Sequence, residues 1–126
     1  MTPKGDSLIG KLKSNEVFVF GSNRAGLHAG GAARMAREKF GARQGVGEGL
    51  TGQSYAFPTL TEHFEKVSPE SLGASRDRLF ETARRHPDKT FLLTKVGCGI
   101  AGFSEDEIRP LFANAPANVI LPDDWT

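Results

Sequence analysis

The sequence predicts an α/β sandwich of three layers around a mostly parallel, mixed sheet. Short apolar runs alternate with stretches of helical periodicity in the order β-α-β-α-β-α-β. The first run, residues 17–20, is apolar without interruption, as expected of a strand buried on both faces. Two of the runs break into glycine-rich segments that lead on to helices, at the strand ends where such sheets place their ligands.

Taken in order, residues 17–20 form the first strand. Residues 30–40 follow as a helix, with Ala32, Ala33, Ala36 and Phe40 on one side and Arg34, Arg37, Glu38 and Lys39 mostly on the other. Gly41 ends it. Residues 44–53 hold four glycines and read as a loop. Ser54-Tyr55-Ala56-Phe57 is a second strand, ended by Pro58. Ser68-Pro69 marks a helix start, with a capping hydroxyl and a proline at the first helical position. That helix runs to His86 and buries Leu72, Leu79, Phe80 and Ala83, with Gly73 weakening its first turn. Residues 90–96 are the third strand. Ser104 and Glu107 have capping-box spacing for a helix reaching about Asn114, with Pro110 as a kink or restart point. Residues 118–121 are the last strand, and Trp125 seals an edge of the core. Phe18, Phe20, Phe57, Phe91 and Phe112 fall at core positions.

The 126 residues fit one domain: 1–16 as a loosely held polar segment, and 17–126 as a single α/β unit. Sixteen Lys and Arg stand against 15 Asp and Glu, without the basic excess of a nucleic-acid binder. Cys98 is the only cysteine, which excludes an internal disulfide and fits a reducing compartment. No apolar run is long enough to span a membrane and the first residues lack a signal-peptide core, so a cytoplasmic protein is expected. His28, His63 and His86 have no metal-ligand spacing, so neither a metal nor a resident cofactor is expected.

The glycine segments carry the chemistry. Gly21-Ser22-Asn23 reads as a turn leading to a helix that opens near Ala29-Gly30-Gly31. Gly97-Cys98-Gly99-Ile100-Ala101-Gly102 repeats that design after the third strand. Glycine lets backbone approach a ligand closely, and the first turn of a helix offers unpaired N–H groups to an anion. Two such segments at neighbouring strand ends point to a phosphorylated small molecule. The second also matches the dinucleotide pattern G-x-G-x-x-G, with Asp123 past the next strand as the acid, which leaves a Rossmann-like reading open. The Gly-Lys-Ser/Thr of a P-loop is absent.

Asn23, Leu27 and Gly30-Gly31-Ala32-Ala33 together resemble the macrodomain signature, in which an Asn-containing turn leads through a Leu to a glycine pair opening a helix. Gly97 to Gly102 followed by Phe103 is similar to that family's second phosphate loop, and residues 53–59 to its central strand. Residues 17–125 as a whole resemble small bacterial and phage proteins with a macrodomain-like fold. The resemblance implies a small-molecule ligand, ADP-ribose or a related nucleotide. It assigns Asn23 to the distal ribose, with backbone room beside it at Gly30 and Gly31. It assigns the main chain of Gly97, Cys98, Gly99, Ile100, Ala101 and Gly102 to the pyrophosphate, and Phe103 to stacking near the distal ribose or its phosphate. Gly21-Ser22-Asn23 departs from the family's paired-Asn form, and no early Asp stands ready for an adenine amino group.

As an enzyme, such a domain removes ADP-ribose from a protein or phosphate from an ADP-ribose phosphate, with Asn23, His28 or Glu48 positioning or activating water. As a binding module, it recognises the same ligand without turnover. As an interaction domain, its glycine segments are only tight turns. Each residue likewise has a second reading: Asn23 as a turn residue, His28 as a plain loop histidine, Glu48 as a solvated loop acid. Cys98 is either a thiolate before a helix or a small side chain under a phosphate loop.

Overall fold

The computed structural model describes residues 11–126. Its elements are β1 (Glu16–Asn23), α1 (Gly31–Lys39), β2 (Gly49–Thr51), β3 (Ser54–Leu60), α2 (Pro69–Arg85), β4 (Thr90–Leu93), α3 (Glu105–Ile108) and β5 (Val119–Ile120), with 3-10 turns at Arg109–Phe112 and Asp123–Trp125. The strands form one sheet in the order β2-β3-β1-β4-β5. β1 runs parallel to β3 and β4, β5 runs parallel to β4, and only β2 is antiparallel. The expected mostly parallel, mixed sheet is what the chain forms.

Alternation along β1 divides the core. Val17 and Val19 face one side with Tyr55, Phe57, Phe91 and Leu93, against Leu72, Leu79, Phe80 and Ala83 of α2. Phe18 and Phe20 face the other with Ala56 and Leu92, against Ala36 and Phe40 at α1. Two apolar faces on one central strand explain its uninterrupted hydrophobic run. The helix starts follow their local signals. Ser68 Oγ accepts the Ser71 N–H with Pro69 in the first turn, and Ser104 and Glu107 form the reciprocal capping box. The chain restarts as a 3-10 turn at Pro110. Trp125 stacks on Phe112 with ring centroids 6.3 Å apart and donates its indole N–H to Glu105 at 2.8 Å.

Strand pairing corrects four expectations. Gly21, Ser22 and Asn23 belong to β1 rather than to a turn, because β3 continues beside them: Gly21 pairs with Phe57, Ser22 with Pro58, and Asn23 with Leu60. Pro58 does not end β3. It cannot donate to the ladder, and the register with β1 slips just past its partner Ser22. The 44–53 segment is not all loop, because Gly49–Thr51 adds to the edge of β3. The third strand stops at Leu93, not Val96; the Thr94 N–H and hydroxyl both turn onto the Val19 carbonyl, at 3.1 and 2.8 Å. The loosely held 1–16 segment falls mostly on residues 1–10, outside the described residues, while Glu16 already pairs with Thr90 in β1.

Candidate functional site

A cleft of about 760 Å³ opens at the carboxyl ends of β1, β3 and β4. Its floor is backbone against backbone. A Cβ at Gly21 would lie 3.1 Å from the Gly97 nitrogen, so glycine lets the ends of β1 and β4 close up. Gly97 is in the left-handed region at φ +77°, turning the chain away from the strand with Phe103 and Thr59 packed beneath it.

Two segments with unpaired main-chain donors line this cleft. Gly30 begins α1 with no side-chain cap and no acidic residue in the first turn, whereas α2 and α3 are both capped by serine. The first intrahelical bond is Arg34 N–H to Gly30 O at 3.2 Å. Among the described residues the N–H groups of Gly31, Ala32 and Ala33 therefore have no acceptor, and all three residues line the cleft. Opposite them, the second glycine loop folds on its own bonds: Cys98 N–H to Lys95 O, Gly102 N–H to Gly99 O, and Phe103 N–H to Gly97 O. That leaves the N–H groups of Gly99, Ile100 and Ala101 without an acceptor among the described residues, again at the cleft. Gly31, at φ +58°, and Gly99 have nothing within 4 Å of where a Cβ would stand, so both open onto free space. The loops come together at Ile100, whose Cδ1 would be 3.8 Å from a Cβ on Gly30.

Charge in the cleft is uneven. Lys95 pairs with Asp124 at 2.7 Å and Glu105 at 3.3 Å. The Asp124 hydrogen bond raises the Lys95 pKa, and the indole of Trp125 holds Glu105 below the usual carboxylate range. Lys66 makes no close ion pair among the described residues; its ammonium rests over the Phe103 ring, 4.9 Å from the centroid, and its charge helps lower the Glu107 pKa. Of the two lysines that line the cleft, it is the one without a close ion pair among the described residues.

The structure gathers Gly21, Ser22, Asn23, Gly30, Gly31, Gly97, Cys98, Gly99, Ile100 and Ala101 around the cleft. Asn23 closes its own turn: Nδ2 donates to Leu27 O at 2.9 Å, and Oδ1 accepts the Leu27 N–H at 3.0 Å. The Ser22 hydroxyl is turned onto Gly47 O at 2.6 Å. Cys98 is half-buried, and burial pushes its thiol pKa up, so the thiolate is disfavoured.

Gly102 and Phe103 do not line the cleft, and Phe103 is buried beneath Lys66. His28 and Glu48 also lie outside it. His28 is 1% exposed, edge-on to Phe20, with Nε2–H donated to Arg43 O at 3.1 Å. Its Nδ1 is buried without a hydrogen-bond partner among the described residues, and desolvation holds its pKa below the ordinary histidine value. Glu48 is clamped by Arg78 through two bonds of 2.7 and 3.1 Å, with Arg24 at 3.8 Å.

Sequence reasoning missed Thr94, Lys95, Val96 and Glu105 beyond β4, and Thr59, Leu60, Phe64 and Lys66 from β3 or the turn after it. The one sequence signal of the latter group is an aromatic and a lysine in a short polar segment between Pro58 and Ser68.

No family model matches the chain, and no curated protein sequence matches it. Among solved structures it is similar to a macrodomain protein from Streptomyces coelicolor, with 14% sequence identity over 94% of this chain and 93% of that chain, at a TM-score of 0.58. The fold is macrodomain-like.

Proposed function

We propose that this domain binds ADP-ribose or a closely related nucleotide diphosphate sugar in the cleft between α1 and the 97–102 loop. The observation that carries the reading is the convergence of unpaired main-chain N–H groups from Gly31–Ala33 and from Gly99–Ala101 on one cavity. Backbone donors at an uncapped helix start and a glycine loop suit a diphosphate, and they do so without a dedicated metal or arginine clamp. Lys66 adds a positive charge without a close ion pair at the same cavity. The cavity lies within the ~300–1,000 Å³ range of small-molecule sites, and the macrodomain-like fold agrees with the ligand class.

Recognition rather than turnover is the reading that the side chains favour. His28 is walled off, Glu48 is ion-paired away from the cleft, and the Asn23 amide is engaged by Leu27. Calorimetric titration with ADP-ribose, against AMP, ADP and NAD, tests the proposal. Micromolar binding of ADP-ribose, weaker for AMP, is expected. Absence of heat with all four ligands from folded protein would overturn it.

A further inference from the structure

At the β4 side of the cleft stands a lysine that the chain itself occupies. Three charged residues line the cavity: Lys66 from the turn after β3, and Lys95 and Glu105 from beyond β4. The Lys95 ammonium donates to Asp124 Oδ2 at 2.7 Å and lies 3.3 Å from Glu105. Two carboxylates around one ammonium leave this end of the cavity with net negative charge, although a lysine lines it. Lys66, at the other end, makes no such close pair among the described residues.

The two carboxylates are held in different ways. Glu105 sits in the first turn of α3 and accepts the Trp125 indole N–H at 2.8 Å, so its place does not depend on the lysine. The Asp124 side chain is 62% exposed, and the Lys95 hydrogen bond is the main cause of its lowered pKa. The backbone behind that carboxylate is fixed. Trp125 is buried on Phe112, its N–H donates to Pro122 O at 2.8 Å, and the Thr126 hydroxyl donates to Asp123 O at 2.8 Å. A pinned turn at Asp123–Trp125 thus presents one carboxylate to a lysine 29 residues earlier in the chain. Asp124 does not itself line the cavity.

We propose that Asp124 is a specificity-determining residue of the nucleotide site: as the built-in counter-ion of Lys95, it keeps that ammonium from the ligand and sets the cleft against a terminal phosphate. Both phosphates of ADP-ribose are esterified and carry about one charge each, whereas the terminal phosphate of ADP carries about 1.5–2 near pH 7. Uncharged main-chain donors suit the first, and a free ammonium would favour the second. With Lys95 occupied and Glu105 beside it, the extra charge of ADP meets repulsion in place of a partner. The inference rests on the nucleotide reading above and adds the group that separates a capped diphosphate from a terminal one.

Calorimetry with ADP-ribose and ADP tests it. Wild type is expected to bind ADP-ribose more tightly than ADP. Asp124→Asn keeps the shape and an acceptor for Lys95 but removes the charge. It is expected to tighten ADP by about fivefold, the effect of one exposed charge pair, and ADP-ribose by less, with an unchanged melting temperature. Asp124→Glu is expected to keep the wild-type preference. In a Lys95→Met background, Asp124→Asn is expected to add nothing, which separates release of the lysine from loss of a negative charge. Asp88→Asn, just before the amino end of β4, makes the same change in net charge and is expected to leave both ligands unchanged. The proposal is overturned, with the nucleotide site left standing, if Asp124→Asn binds ADP no more tightly than wild type does or gains equally for both ligands. A gain that persists without Lys95, or that Asp88→Asn matches, overturns it in the same way. Absence of heat with either ligand, from folded wild type and folded Asp124→Asn alike, overturns the nucleotide reading and the proposal together.

Discussion

Gly97 and Gly99 stand two residues apart and should respond to substitution in opposite ways. At Gly97, φ is +77°, and a Cβ would meet the Phe103 ring at 3.0 Å and Thr59 Cγ2 at 3.2 Å. Left-handed backbone costs an L-residue about 1–2 kcal/mol, and crowding in a packed interior adds about 1–3 kcal/mol. The smaller unfolded-state entropy of alanine returns about 0.4–1 kcal/mol. Gly97→Ala should therefore lose about 1–5 kcal/mol of stability, seen as a melting temperature lower by about 4 °C for each kcal/mol. At Gly99 the backbone is outside the left-handed region and nothing lies within 4 Å of a Cβ, so a side chain enters open cleft. Gly99→Glu should melt with wild type. Its carboxylate, about 5 Å from a phosphate charge at an effective dielectric near 20, would oppose binding by about 3 kcal/mol, or ~100-fold in Kd. Thermal denaturation by circular dichroism and calorimetry with ADP-ribose read the two effects separately. The reasoning fails if Gly99→Glu binds ADP-ribose as wild type does, or if Gly97→Ala melts at the wild-type temperature.

Two further outcomes follow from the charges. Lys66→Ala should weaken ADP-ribose by about fivefold, the effect of ~1 kcal/mol expected of an exposed ion pair, and flatten the salt dependence of Kd. Lys66→Arg should retain both, and Lys95→Ala should do less because Lys95 is already neutralised by Asp124 and Glu105; equal losses at the two lysines would contradict this. His28 sets a pH dependence of stability. Its folded pKa lies below the unfolded value near 6.5, so the unfolded chain binds more protons in that window. Stability present above about pH 6.5 is therefore lost as pH falls toward the folded pKa. Glu105, Glu107 and Asp124 have lowered pKa values and contribute their losses only at more acidic pH, below about 4.5. Urea denaturation of wild type should show falling stability between pH 7 and 5, and His28→Gln should flatten that slope; equal wild-type stability at both ends would refute the assignment.

What could be read from the sequence was whatever a few neighbouring residues decide. Ser68-Pro69 and the Ser104/Glu107 box start helices through bonds three residues long, and Pro110 interrupts one by its own ring. The apolar run at Val17 marked a central strand because both of its faces meet core. The extent of each strand was less legible, since pairing sets it: β2 exists because β3 offers an edge, and Pro58 stays in β3 because β1 runs beside it.

The candidate site divides in the same way. Glycine segments at strand ends announce themselves, and the cleft gathers most of them. Closeness along the chain did not bring His28, five residues from Asn23, into the cleft lining, because its ring packs edge-on against Phe20. Glu48 was drawn off by Arg78, a partner 30 residues away that no local pattern names. Phe64 and Lys66 reach the cleft only because the β3 end lies beside β1 in the sheet.

The central claim is that the Gly31–Ala33 and Gly99–Ala101 N–H groups cradle a nucleotide diphosphate. Titrating ¹⁵N-labelled protein with ADP-ribose and following amide shifts tests it most directly. The account predicts saturable shifts concentrated at those amides, with smaller changes at Lys66 and little at Glu48. Saturable shifts that leave both segments unmoved, or no shifts at all at millimolar ligand, would contradict it.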